Sequence, residues 1–129
     1  MFRSVNPATG EEIATYRELT RDEIDARLDG AMAAYRAWRT TDLKDRTALL
    51  VRIADQYEAN KDRLARMATA EMGKTYKSAI AEVEKCATAF RHYAEHGPAM
   101  LVPRHQSLSN GGTAALHWLP IGPVLAVMP

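Results

Sequence analysis

The run Pro120-Ile121-Gly122-Pro123-Val124-Leu125-Ala126-Val127-Met128-Pro129 (PIGPVLAVMP) decides how the rest of the chain is read. Val124 to Val127 are uninterrupted apolar residues, set off by Gly122 and Pro123 in front and closed by Pro129. A short apolar run between turn residues, rich in branched side chains, is the pattern of a strand buried on both faces. Such a strand is central to a parallel sheet with helices on either side. No crossover helix or second parallel strand follows it within these residues, and a buried strand without neighbours leaves backbone donors and acceptors unpaired. The expectation is therefore an α/β fold of which the chain carries a truncated part. It would hold three or four amphipathic helices, an N-terminal hairpin, a projecting hairpin and one first strand of a larger sheet.

Outward from that run, the helices are written in apolar residues at steps of three and four. Thr20-Arg21-Asp22-Glu23 is a capping box that opens the first helix, and Ile24, Leu28, Ala31, Met32, Tyr35 and Trp38 form its stripe. A second helical region starts near Thr41-Asp42 with Leu49, Leu50, Ile53, Ala54 and Tyr57 in phase. The phase resumes at Leu64, Met67, Ala68 and Met72. Asn60, between the halves, suits the cap of a new helix and predicts a break there. Gly73 is a natural C-terminal stop. The third stripe, Tyr76, Ile80, Val83, Ala87, Phe90 and Ala94, predicts a helix from about Thr75 to Glu95 that Gly97-Pro98 ends. Asn6-Pro7-Ala8-Thr9-Gly10 predicts the turn of a small hairpin within Phe2 to Tyr16. Asn110-Gly111-Gly112 predicts a second hairpin, Val102–Ser109 against Thr113–Leu119, that projects because its residues are mixed.

Composition narrows the function classes. With 129 residues the chain has room for one domain, and 47% hydrophobic and 26% charged residues are ordinary for a globular protein. Seventeen basic residues against sixteen acidic ones leave a net charge of +1, which predicts neither a nucleic-acid nor a membrane-surface partner. Basic residues such as Arg27, Arg39, Arg46, Arg52 and Arg63 alternate with acids and read as solvated helix faces. The single cysteine, Cys86, excludes an internal disulfide. With no apolar signal segment and no run long enough for a bilayer, the expected location is the cytoplasm.

Four groupings invite a chemical reading, and each has a plainer one. Cys86 sits in mid-helix without a glycine-rich loop or helix N-terminus to activate its thiol, so it reads as packing. Glu82 and Glu84, drawn with His92 as an acid/base set, are two residues apart and fall on different helix faces. His92 and His96 have a chelating spacing but lie at an expected fraying end with no third ligand, so no metal site is expected. Glu71-Met72-Gly73-Lys74 has too few glycines and lysines for a phosphate loop, and a helix stop accounts for Gly73.

The pieces in order are N-P-A-T-G-E at Asn6–Glu11, A-W-R at Ala37–Arg39, E-M-G-K-T at Glu71–Thr75, Y-A-E-H-G-P-A-M-L at Tyr93–Leu101, a hairpin, and the final run. This ordered set resembles the N-terminal part of the NAD(P)-dependent aldehyde dehydrogenases over the whole chain. Tyr93 to Leu101 is most similar to the bacterial succinate-semialdehyde dehydrogenases. The family usually has proline where this chain has Thr75, a departure that leaves the turn intact. The resemblance implies that Val127, Met128 and Pro129 border the nicotinamide nucleotide beside its ribose, offering backbone carbonyls and shape. It implies that the catalytic residues of the family lie beyond residue 129: the cysteine nucleophile, the glutamate base, the oxyanion donor and the cofactor-holding lysine. The chain then carries no catalytic residue, binds neither NAD nor NADP strongly alone, and is inactive alone. The same resemblance divides it into hairpin and helices (1–101), an oligomerisation-type hairpin (102–119) and the start of the nucleotide-binding fold (120–129). The complete enzyme would take an aldehyde and a nicotinamide nucleotide and form an oligomer. The rival reading is a non-catalytic interaction module, or a truncated product, that pairs with a full-length dehydrogenase.

Overall fold

A computed structural model of the protein describes residues 1–128. In chain order the elements are β1 (Phe2–Val5), β2 (Glu12–Tyr16), α1 (Arg21–Trp38), α2 (Leu43–Ala59), α3 (Lys61–Met72), α4 (Tyr76–Met100), β3 (Arg104–Ser107) and β4 (Thr113–Leu116). β1 and β2 pair antiparallel with Phe2 opposite Tyr16 and a register shift between Ser4 and Val5. Their turn is closed by Asn6, whose Oδ1 accepts from the Ala8 amide at 2.9 Å, and by Gly10 at φ 76°.

The helix ends follow local chemistry. At α1 the Glu23 amide donates to Thr20 Oγ1 at 3.3 Å, and the Thr20 amide donates to Glu23 Oε2 at 2.9 Å, completing the box. The chain breaks at Asn60 as its composition predicts, but by a different device. Asn60 does not cap α3 with its side chain; Nδ2 turns back and donates to the Gln56 carbonyl at 2.9 Å, closing α2. Gly73 ends α3 in the left-handed conformation, φ 68°, with its amide donating to the Thr69 carbonyl at 3.0 Å. Thr75 caps α4 through the Ser78 amide.

Two expectations fail here. α4 does not stop before Gly97-Pro98 but continues to Met100. Pro98 lacks an amide hydrogen, so one bond near the helix end is lost. The last turn forms all the same, beside α2: Gly97, Met100 and Leu101 line one cleft with Leu43 and Leu50. The second failure is the run that opened the sequence reading. Residues 117–128 have no regular secondary structure, and the expected buried strand is not formed. Val124, Leu125 and Val127 are 82%, 88% and 84% exposed. A strand requires a neighbour's donors and acceptors, and the described residues hold only two separate two-stranded hairpins, neither beside it. Pro129 lies outside the described residues.

The core is the seam where α4 packs along α2 and α3. Its buried residues are Ala54, Ala65, Ala79, Val83 and Ala87, and small side chains there let the helix backbones approach closely. Tyr57 and Phe90 extend the seam with ring centroids 5.5 Å apart. Ion pairs rim it: Lys61–Glu84 at 2.6 Å, and Arg91 to Asp55 at 3.0 Å and Glu58 at 2.8 Å. By contrast, α1 buries no residue, and Ile24, Leu28, Met32 and Trp38 of its stripe stay exposed. β3 and β4 pair antiparallel, Arg104 opposite Leu116, and every strand residue is exposed, so this hairpin projects. The solvent-accessible surface is 10458 Å² for 14.3 kDa. A compact monomer of that mass exposes about 6,800 Å². Half as much surface again is open, much of it apolar.

Candidate functional site

An apolar cleft lies where α1 ends, α2 begins and α4 finishes. Trp38, Leu43, Leu50, Tyr93, Met100 and Leu101 line a cleft of about 380 Å³ there. A second cleft, of about 430 Å³, adjoins it and is walled on the far side by Trp118, Leu119 and Pro120. Leu43, Arg46 and Leu101 belong to both. The chain is tied across this junction by the Tyr35 hydroxyl, which donates to the Pro120 carbonyl at 2.8 Å. The Arg104 guanidinium lies 5.9 Å from the Trp118 ring. The capped start of α1 sets the phase that delivers Tyr35 and Trp38 here, and the extension of α4 past Pro98 delivers Met100.

One charged side chain lines both clefts. Arg46 is half-buried, and its Nε is buried with no hydrogen-bond partner among the described residues. The sequence reading placed Arg46 on a solvated face, which the structure corrects. The signal was present: Arg46 falls three residues after Leu43 and four before Leu50, in phase with the apolar stripe rather than opposite it.

The other singled-out residues are dispersed. Val127 and Met128 are 84% and 80% exposed, and neither lines a cleft described for these residues. Neither is enclosed by other described residues. Glu82 pairs with Lys74 and Glu84 with Lys61, so the two carboxylates are engaged on different sides of α4. Cys86 is half-buried in mid-α4. The His92 and His96 rings stand 4.6 Å apart, on turns that are helical rather than frayed because α4 runs to Met100. No group of three or more metal-ligating side chains gathers among the described residues. Gly73 packs against Pro7, and Lys74 beside it is spent on Glu82.

Shifted acidities trace to surface ion pairs, not to the cleft. Glu23 is lowered to about 2, first by hydrogen bonds from the Arg17 guanidinium and then by the Thr20 amide. Asp62 is lowered by Arg66 and the Tyr76 hydroxyl, and Tyr76 is raised by the same contact with Asp62. Among the described residues no helix is long and apolar enough to cross a membrane.

Comparison with known proteins places this geometry. The chain is 40% identical over 128 residues to the NADP(+) succinate-semialdehyde dehydrogenase 1 of Mycobacterium tuberculosis, which covers 98% of this chain and 28% of that protein. It is 40% identical over 126 residues to the NAD(P)+ succinate semialdehyde dehydrogenase Sad of Escherichia coli, covering 98% and 27%. The fold superposes on succinic semialdehyde dehydrogenase from Streptococcus pyogenes, solved in complex with NADP+, at a TM-score of 0.82 and 28% identity. That match covers 89% of this chain and 25% of the other. The chain thus spans a little over a quarter of the length of these relatives. The aldehyde dehydrogenase family profile matches residues 1–129, the whole of the sequence: this chain belongs to the aldehyde dehydrogenase family.

Proposed function

We propose that this chain forms the helical layer and the first part of the nucleotide-binding fold of an enzyme that oxidises an aldehyde, succinate semialdehyde, to its carboxylate with NAD or NADP. The observation that carries the reading is the family match over the full 129 residues. The names of the relatives support the substrate and the nucleotide. The contribution of these residues is architectural. The seam of α2, α3 and α4 gives a rigid support, the hairpin of residues 102–119 serves oligomer contacts, and residues 120–129 enter the nucleotide-binding sheet beside strands that complete it. Val127, Met128 and Pro129 then border the nucleotide with backbone and shape. The nucleophile, the base and the groups that hold the cofactor are supplied outside these residues, and the complete enzyme works as a homo-oligomer in the cytoplasm.

The chain alone is expected to be inactive and to bind neither nucleotide tightly. The test is absorbance at the reduced-nicotinamide wavelength with purified chain, succinate semialdehyde and each cofactor. It is run beside a chimera in which the chain replaces the matching segment of the Escherichia coli Sad protein. Turnover by the chimera and none by the chain is the expected result. Robust turnover by the chain alone, or a folded but inactive chimera, overturns the proposal.

The open surface supports a second reading, in which the chain pairs with a full-length dehydrogenase as a non-catalytic partner. Co-purification of the intact chain with such an enzyme is its test; a chain that stays alone when the two are mixed removes it.

A further inference from the structure

Among the described residues, Arg46 is the one with a buried side-chain polar atom that has no hydrogen-bond partner. Its Nε is buried and has no acceptor among the described residues, while Leu43, Leu101 and Trp118 wall the junction in which it stands. Elsewhere in the bundle Lys61, Arg66, Lys74 and Arg91 hold carboxylates, and Lys44, Arg52, Lys77 and Lys85, which hold none among the described residues, are exposed to water. A buried donor without an acceptor costs more than a missing surface ion pair, because the group has given up water and gained nothing. Native structures leave few such groups, and each calls for a specific account.

We propose that Arg46 is an anchoring residue for the part of the aldehyde dehydrogenase fold that covers this junction, which presents an apolar side chain to the cleft and a carboxylate to the Arg46 guanidinium. This rests on the reading under Proposed function. Three observations choose the occupant. The chain spans 28% of the length of its relative, so most of the family fold is other polypeptide. The surface left open is half as large again as a compact monomer exposes, which is the scale of an interior face rather than of a transient contact. The orphaned group is a cation, and a planar guanidinium in an apolar rim selects a carboxylate by geometry and charge together.

An anchor that acts only on a covering segment has a signature that a local structural role lacks. Arg46→Met keeps the stem and removes the unmet donor. In the isolated chain it is expected to raise the thermal midpoint. In the chimera with the Escherichia coli Sad protein it is expected to lower the midpoint and to reduce the fraction of activity that survives heating. Arg46→Gln, which keeps a donor but no charge, is expected to follow Arg46→Met in the chimera. A lower midpoint for Arg46→Met in the isolated chain means that Arg46 serves the bundle itself, and the proposal fails. A chimera indifferent to Arg46→Met also ends it and leaves the proposed function standing. A chimera rescued by Arg46→Gln overturns the carboxylate. A folded chimera that is inactive with Arg46 in place overturns the proposed function, and this inference with it.

Discussion

At the level of single residues, Glu23 shows how much a local motif can do and where its reach ends. Its carboxylate receives both arms of the Arg17 guanidinium, Nη1 to Oε2 at 2.7 Å and Nη2 to Oε1, as well as the Thr20 amide. Those bonds favour the ionised form and lower its pKa from 4.5 to about 2. A lowered folded-state value means that the contribution to α1 is fully present above the ordinary carboxylate range and disappears as pH falls through about 2. A carboxyl-carbon NMR titration is therefore expected to show Glu23 with a midpoint near 2, returning upward in Arg17→Gln; a midpoint in the ordinary range for the parent chain would disprove the fork. Thr20→Ala should weaken the start of α1 by about 1 kcal/mol, read as faster amide exchange in the first turn. The Thr20–Glu23 box was legible because it spans four residues. Arg17 was not, because it approaches through a non-helical turn that periodicity does not describe. Arg46 was legible in phase and misread in kind, since a charge on an apolar stripe was averaged into the charge pattern around it.

At the level of elements, the boundaries written by backbone chemistry were readable and those set by packing were not. Gly10, Asn60, Gly73 and Gly111 mark turns or breaks where the sequence places them, and three of the four hold a positive φ that glycine alone adopts without cost. Gly97-Pro98 is a strong stop signal too, yet α4 passes through it to Met100, where the chain lines one cleft with Leu43 and Leu50 of α2. The stripe of α1 is periodic as the sequence predicts and stays exposed: period reports which face is apolar, not whether anything covers it. Gly73 offers the sharpest element-scale test. At φ 68° a side chain is strained, and an added Cβ would lie 3.1 Å from Cγ of Pro7. Gly73→Ala should cost about 1 kcal/mol or more in chemical denaturation, more than Ala at the open position of Gly30, which would gain stability. At the seam, Ala87→Leu puts volume where α4 meets its neighbours and should cost about 1–3 kcal/mol. An unchanged midpoint for Ala87→Leu would mean the seam is looser than the structure shows.

At the level of the whole molecule, the balance of buried and open surface separates what the chain holds together from what it offers. The fully buried residues are alanines, so the seam of α2, α3 and α4 supplies the stability, while α1, both hairpins and residues 117–128 add mostly exposed area. The final run shows why its pattern was readable as a strand and its state was not. Val124 to Val127 encode what the segment is suited to, but a strand is a relation between two segments, and sequence pattern alone does not state whether the second is at hand. An apolar run that contributes nothing to the core and stands open to water should govern self-association instead. Leu125, 88% exposed, and Ile121, 96% exposed, are the residues to change. The pair Ile121→Lys and Leu125→Glu is expected to leave the thermal midpoint of the chain where it was and to reduce its light scattering and its sedimentation as larger species. A lower midpoint in that variant would mean that the run packs on the bundle in solution. Unchanged scattering would move the cause of association to the α1 stripe, where Leu28→Lys is the corresponding change.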